Sequence, residues 1–131
     1  MKIDAPIITR DPSDAADLSS KIEASGFDGL CTFEGPHEPF LPLAIAASNT
    51  KKINLITSIA IAFARNPMLL ANIGYDLQLL SKGRFIMGLG SQIKPHIEKR
   101  FSMPWSSPAN RMREMIQAIK SIWECWAVCL L

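Results

Sequence analysis

The chain has 131 residues, with 14 Lys and Arg against 12 Asp and Glu, 48% hydrophobic residues and 20% charged ones. That composition excludes a disordered tract, a disulfide scaffold and a fibre, and the length suits one domain around one core. A net charge of +2 without a basic stripe argues against nucleic acid and anionic membrane as partners.

Strand and helix patterns alternate along the chain. A first strand is expected over residues 2–8. A helix follows, with Asp11 as its N-cap and Pro12 in its first turn, an apolar stripe of Ala15, Leu18 and Ile22, and Gly26 as its stop. A second strand spans 28–33. The loop 34–39 leads into a small-residue helix over 41–49. The third strand, 53–61, is nearly all apolar, as a parallel strand buried on both faces would be. The third helix opens at Asn66-Pro67, carries Leu69, Leu70, Ile73, Leu77 and Leu80, and stops at Gly83. A fourth strand over 84–89 and a long connection over 90–106, with a short helix near His96, precede a last helix opening at Ser107-Pro108. Met112, Met115, Ile116, Ile119, Ile122, Trp123 and Trp126 form its apolar face.

Four βα repeats call for a parallel sheet with right-handed crossovers. At about 25–30 residues per unit, a (β/α)8 barrel needs about 250 residues, so four units make either a small open α/β sheet or half a TIM barrel. Polar residues gather after the strands, where barrel enzymes keep their chemistry: Glu34, His37 and Glu38; then Arg65 and Asn66; then Ser91 and Gln92. This favours the half barrel. Among the strand side chains, Leu30 or Thr32, Leu55 or Thr57, and Ile86 or Gly88 are expected to face its interior. The last helix runs into an apolar tail at about 127–131 with no capping Gly and no final strand, which reads as a truncation.

No secretory leader is expected, since Asp4 and Pro6 interrupt the start, and the longest apolar run, 59–64, is far short of a membrane span. Cys31, Cys125 and Cys129 lack CxxC spacing, so the thiols fit a reducing, cytoplasmic compartment. No His, Cys or carboxylate spacing suggests a metal.

The segment Glu34-Gly35-Pro36-His37-Glu38-Pro39-Phe40 is the richest in chemistry. An imidazole can exchange a proton near neutral pH, and a neighbouring carboxylate can orient it; the same residues also suit a solvated loop with incidental charge. Gly88-Leu89-Gly90-Ser91-Gln92 reads equally as an anion-approaching loop or a bare turn, and Ile93 stands where a dinucleotide fingerprint needs its third glycine.

Taken together, Gly26-Phe27-Asp28-Gly29-Leu30, residues 34–40, Arg65-Asn66-Pro67, Ser81-Lys82-Gly83-Arg84-Phe85 and Gly88-Leu89-Gly90 resemble the first half of a luciferase-like monooxygenase-superfamily protein. Residues 99–105 and Arg111-Met112-Arg113-Glu114 look like its deazaflavin branch, whose members use coenzyme F420. The resemblance covers about residues 1–126. It implies the first four βα units of a TIM (β/α)8 barrel, hydride transfer between the cofactor and a small organic substrate, and a homodimer, with FMN as the alternative cofactor. Carried onto this chain, it makes His37 the group that moves a proton or steadies charge on the substrate oxygen. Glu34, or alternatively Glu38, would orient it. Ser58-Ile59 matches a strand-three bulge with a non-prolyl cis peptide behind the ring; Ser91, and less directly Gln92 and Arg65, match cofactor contacts. A non-catalytic half-barrel interaction module is the alternative to an enzyme fragment. A lone half barrel would leave strands one and four as open edges, so the isolated chain is expected to pair with a second copy, bind the missing half or aggregate, and to be inactive.

Overall fold

A computed structural model describes residues 1–129, the last of them as backbone only; the Leu130-Leu131 end of the expected tail lies outside the described residues. The strands are β1 (Asp4–Pro6), β2 (Gly29–Thr32), β3 (Asn54–Thr57), β4 (Ala60–Ile61), β5 (Phe85–Ile86) and β6 (Leu89–Gly90). The helices are α1 (Ala15–Ala24), α2 (Phe40–Asn49), α3 (Pro67–Leu80), α4 (Lys94–Arg100) and α5 (Pro108–Cys129). Two compact units divide the chain, 1–60 with 76–89, and 61–75 with 90–131. Among the described residues no helix is long and apolar enough to cross a membrane.

The first unit holds the four-stranded sheet, ordered β1-β2-β3-β5 with every pair parallel. Sequential parallel neighbours joined by helical crossovers are successive βα units of a barrel; an open doubly wound sheet would place β1 between other strands. Register aligns Asp4, Gly29 and Asn54 in one row and Leu30, Leu55 and Phe85 in another.

Burial alternates along β2 and β3. Leu30, Thr32, Leu55 and Thr57 are buried on the side covered by α1 and α2, whereas Cys31 and Ile56 are half-buried and Ile86 is 48% exposed. This corrects two expectations: β3 is buried on one face only, and the residues of β2 and β3 assigned to the interior of the barrel face the helices, whereas Ile86 lies on the opposite face as expected. Neither Gly-Leu-Cys-Thr of β2 nor Asn-Leu-Ile-Thr of β3 alternates apolar with polar residues, so only the packed helices reveal the parity. Likewise, strands expected to be continuous over 53–61 and 84–89 are each broken, at Ser58-Ile59 and at Met87-Gly88.

Capping follows the sequence closely. The Asp11 carboxylate accepts from the Ser13 amide at 2.9 Å, which holds its pKa below the ordinary value, although a 3-10 turn over Pro12–Asp14 precedes α1. Asn66 caps α3 through Met68 at 2.8 Å, and Gly26 and Gly83 take φ of +83° and +86°. The stripe of α3 is narrower than expected: Leu70 and Leu77 are buried, but Leu69 and Leu80 are 61% and 51% exposed because they flank the line 70–74–77 that faces the core.

At the N-terminal ends of the strands, Arg84 ties three segments together. Its guanidinium donates to Ser81 O (2.7 Å), Thr50 Oγ1 (2.9 Å), Ile53 O (2.8 Å), Ala47 O (3.2 Å) and Thr50 O (3.0 Å). Nearby, the Glu23 carboxylate accepts the amides of Lys51, Lys52 and Ile53. Desolvation acts to raise its pKa, but these hydrogen bonds, together with the Arg84 charge, hold it below the usual carboxylate value. Arg84→Met leaves these backbone carbonyls without their donor and is expected to destabilise the chain by about 2–3 kcal/mol. Arg84→Lys, which keeps the charge but not the fork, should recover part of that loss. Urea unfolding of the three forms measures it, and an unchanged midpoint for Arg84→Met would remove this anchor.

In the second unit α5 is fastened at several points. Trp123 Nε1 donates to Ala71 O at 2.9 Å, Tyr75 meets Trp126 edge-on with centroids 5.4 Å apart, and Arg111 stacks over Phe63 at 4.4 Å, which in turn meets Trp105 edge-on at 5.7 Å. Met115 and Ile119 are buried, as the sequence pattern requires, while Ile116 is 39% exposed.

Candidate active site

The loop after β2 is held at both ends. Thr32 Oγ1 donates to Pro39 O at 2.8 Å in a buried bond, and the Glu38 carboxylate accepts from the amides of Phe40 (2.6 Å) and Leu41 (3.3 Å), capping α2. The residues between are thereby presented as a tip, and His37 on it is exposed. Glu38 was the alternative orienter of His37; its carboxylate serves as the helix cap. The imidazole makes no hydrogen bond or ion pair among the described residues.

A second loop, residues 7–10 after β1, faces this tip. Ile7 N donates to Cys31 O at 2.8 Å, prolonging the β1–β2 ladder, and Thr9 Oγ1 donates to Asp11 O and Asp14 Oδ2 at 2.7 and 2.8 Å. Between the two loops lies a cavity of about 420 Å³, walled by Ile7, Ile8, Phe33, Pro36, Pro39 and Pro42, with Arg10, His37 and Glu38 as its ionisable groups. Arg10 and Thr9 were missed by the sequence reading. Their position just past the end of a strand, before the Asp11-Pro12 cap, was the signal that could have found them.

The end of β3 meets the same loop. The Ser58–Ile59 peptide is cis, as the resemblance implied. Ser58 N donates to Thr32 O at 2.6 Å, and Glu34 N to Ile59 O at 3.2 Å, so the backbone of Glu34 and the Ser58-Ile59 pair are brought together. Ser58 is exposed, Ile59 is 38% exposed and Phe33 53%. The next strand is clamped to β3 from the other side: Thr57 Oγ1 both donates to Gly88 O and accepts from Gly88 N, each at 2.9 Å. The Gly88 amide is therefore taken up internally, which corrects the reading of that glycine as an amide donor to an anion. Its requirement is space, since a Cβ there would stand 2.0 Å from Thr57 O.

In the second unit Ser91 Oγ donates to Gln92 O at 3.1 Å, and Gln92, at φ +59°, accepts from Ile93 N through Oε1 at 3.0 Å; both shape the entry to α4. Arg65 donates to Ile61 O at 2.9 Å and lines a cavity of about 390 Å³ with Asn66, Arg111 and Glu114, which neither Ser91 nor Gln92 lines. Burial, and then the nearby Asp4 charge, push the thiol pKa of the half-buried Cys31 up. Among the described residues no three His, Cys, Asp or Glu side chains gather as a metal site.

A family model described as luciferase-like monooxygenase matches residues 3–127. The chain belongs to the luciferase-like monooxygenase family. It is 60% identical over 112 residues to an uncharacterized protein of Mycobacterium tuberculosis, covering 86% of this chain and 33% of the relative. A second M. tuberculosis protein, provisionally named a coenzyme F420-dependent oxidoreductase, is 33% identical over 113 residues, again 86% and 33%. The chain thus spans about a third of the length of these curated relatives. Among solved structures, the oxygenating constituent of 3,6-diketocamphane monooxygenase from Pseudomonas putida, a type II Baeyer–Villiger monooxygenase in complex with FMN, superposes with a TM-score of 0.80 at 17% identity over 94% of this chain and 40% of its own. That likeness extends to the TIM-barrel fold, of which the luciferase-like chain described here has the first four βα units.

Proposed function

We propose that this chain forms the N-terminal βα units of an oxidoreductase that transfers hydride between coenzyme F420 and a small organic substrate, with His37 as its proton donor and acceptor. The observation that carries the reading is the cavity at the C-terminal ends of β1 and β2 with His37 on its rim. The adjoining surface suits a planar ring: Phe33 and Ile59 leave apolar area exposed next to polar Ser58, on loops fixed by backbone hydrogen bonds. A relative named for coenzyme F420 supports the deazaflavin over FMN.

Bound there, the deazaflavin would supply or accept a hydride at its ring carbon C5. Phe33, Ser58 and Ile59 would hold the ring, and the apolar walls would keep water from the reacting carbon. When a carbonyl carbon gains the hydride, its oxygen gains electron density; the His37 ring nitrogen donates the proton that completes the alcohol, and takes it back in the oxidising direction. Glu34, at the start of the same loop, would steady His37 or meet the polar edge of the ring.

Fluorescence titration of F420 and FMN, in parallel, into the chain extended to the length of its relatives tests the reading. F420 is expected to bind at least about tenfold more tightly, a difference of roughly 1.4 kcal/mol. Preference for FMN would instead favour a flavin monooxygenase.

A further inference from the structure

We propose that the cavity between the loops after β1 and β2 is a substrate subsite for a small, mainly aliphatic carboxylate, with Arg10 binding the carboxylate and His37 facing the rest of the molecule. This rests on the functional reading above and names its substrate class. The argument starts from charge. The carboxylates around the cavity are each committed to a donor: Asp11 to Ser13 N, Asp14 to Thr9 Oγ1, and Glu38 to the amides of Phe40 and Leu41. Arg10 makes no hydrogen bond or ion pair among the described residues, so its fork of donors is available to a ligand. A guanidinium binds a carboxylate in a bidentate, directional way. Of the remaining lining, Ile7, Ile8, Phe33 and Pro42 are apolar and the hydroxyls of Thr9 and Thr32 already donate to Asp14 Oδ2 and Pro39 O, so the rest of the ligand is mainly apolar, and about 420 Å³ suits a molecule of small size. The subsite is built from the loops after β1 and β2 alone, so it does not depend on the cofactor being present.

The probes are hexanoate, its neutral isostere hexanamide, and inorganic phosphate, titrated without cofactor into the chain extended to the length of its relatives. The ring resonances of His37, assigned by their loss in His37→Ala, report the site, while those of His96, on α4, serve as an internal control. Hexanoate is expected to shift the His37 signals and to bind about tenfold more tightly than hexanamide. Arg10→Met should abolish that difference, and Arg10→Lys should keep part of it; far-UV circular dichroism establishes that both variants fold. Equal binding of the two hexyl probes, an unchanged hexanoate affinity in Arg10→Met, no binding at all, or phosphate binding more tightly than hexanoate would each overturn the proposal, the last by assigning Arg10 to a phosphate. Carboxylate binding by a protein that fails to bind F420 would overturn the cofactor reading and leave the subsite standing.

Discussion

His37→Ala, made in the chain extended to the length of its relatives, is expected to lower the rate of hydride transfer by about 10²–10⁴-fold while leaving cofactor affinity within about twofold. The side chain is exposed on a tip whose backbone is held by Thr32, Pro39 and the Glu38 cap, none of which involves the imidazole. Its removal should therefore leave fold and cofactor surface in place and take away the proton transfer alone. Stopped-flow bleaching of the deazaflavin absorbance measures the rate, and fluorescence titration measures the affinity. A variant with full activity would return His37 to a solvated loop. Equal losses in rate and cofactor binding would make it a binding residue.

Gly88→Ala is expected to destabilise the chain by about 3–4 kcal/mol and roughly 10 °C in Tm. The added Cβ would lie 2.0 Å from the carbonyl oxygen of Thr57, a backbone atom of the neighbouring strand, so relief requires moving β3 or breaking both Thr57 hydrogen bonds to Gly88. Gly29→Ala provides the contrast. There the Cβ would meet the Asp4 carboxylate at 2.4 Å and the tip of Ile56 at 3.0 Å, and both are side-chain ends that can rotate away. A change under about 1 kcal/mol is expected at Gly29. Thermal unfolding of the two variants side by side checks the pair; equal effects would show that the clamp at Gly88 is soft.

The resemblance motifs sort differently once the fold is known. Asp28, in the Gly26–Leu30 motif, stitches strands: its carboxylate accepts from Ile3 N at 2.8 Å, and its carbonyl from Asn54 N at 3.0 Å. Ser81-Lys82-Gly83-Arg84 builds the turn and anchor at the N-terminal ends of the strands, with Ser81 Oγ accepting from Arg84 N at 3.2 Å. These motifs therefore join successive βα units at the N-terminal ends of the strands.

The sequence by itself determined the βα alternation, the helix starts at Asp11, Asn66 and Pro108, and the stops at Gly26 and Gly83. Each is a local effect: a capping carboxylate or amide, a proline that fits the first turn, or a glycine that accepts positive φ. It also placed His37 after a strand, because periodicity ends where the loop begins. Tertiary structure alone decided the rest. Which face of β2 and β3 meets the helices depends on what packs there, and a strand without apolar–polar alternation leaves both parities open until α1 and α2 are in place. The capping contacts of Glu38 follow from the start of α2 one residue earlier than expected, which turns its carboxylate toward the amides of Phe40 and Leu41. Arg10 joined the site because parallel pairing puts the ends of β1 and β2 side by side, although 27 positions separate Arg10 from His37 in the chain. Contacts at that separation come from strand register, which composition and spacing do not encode.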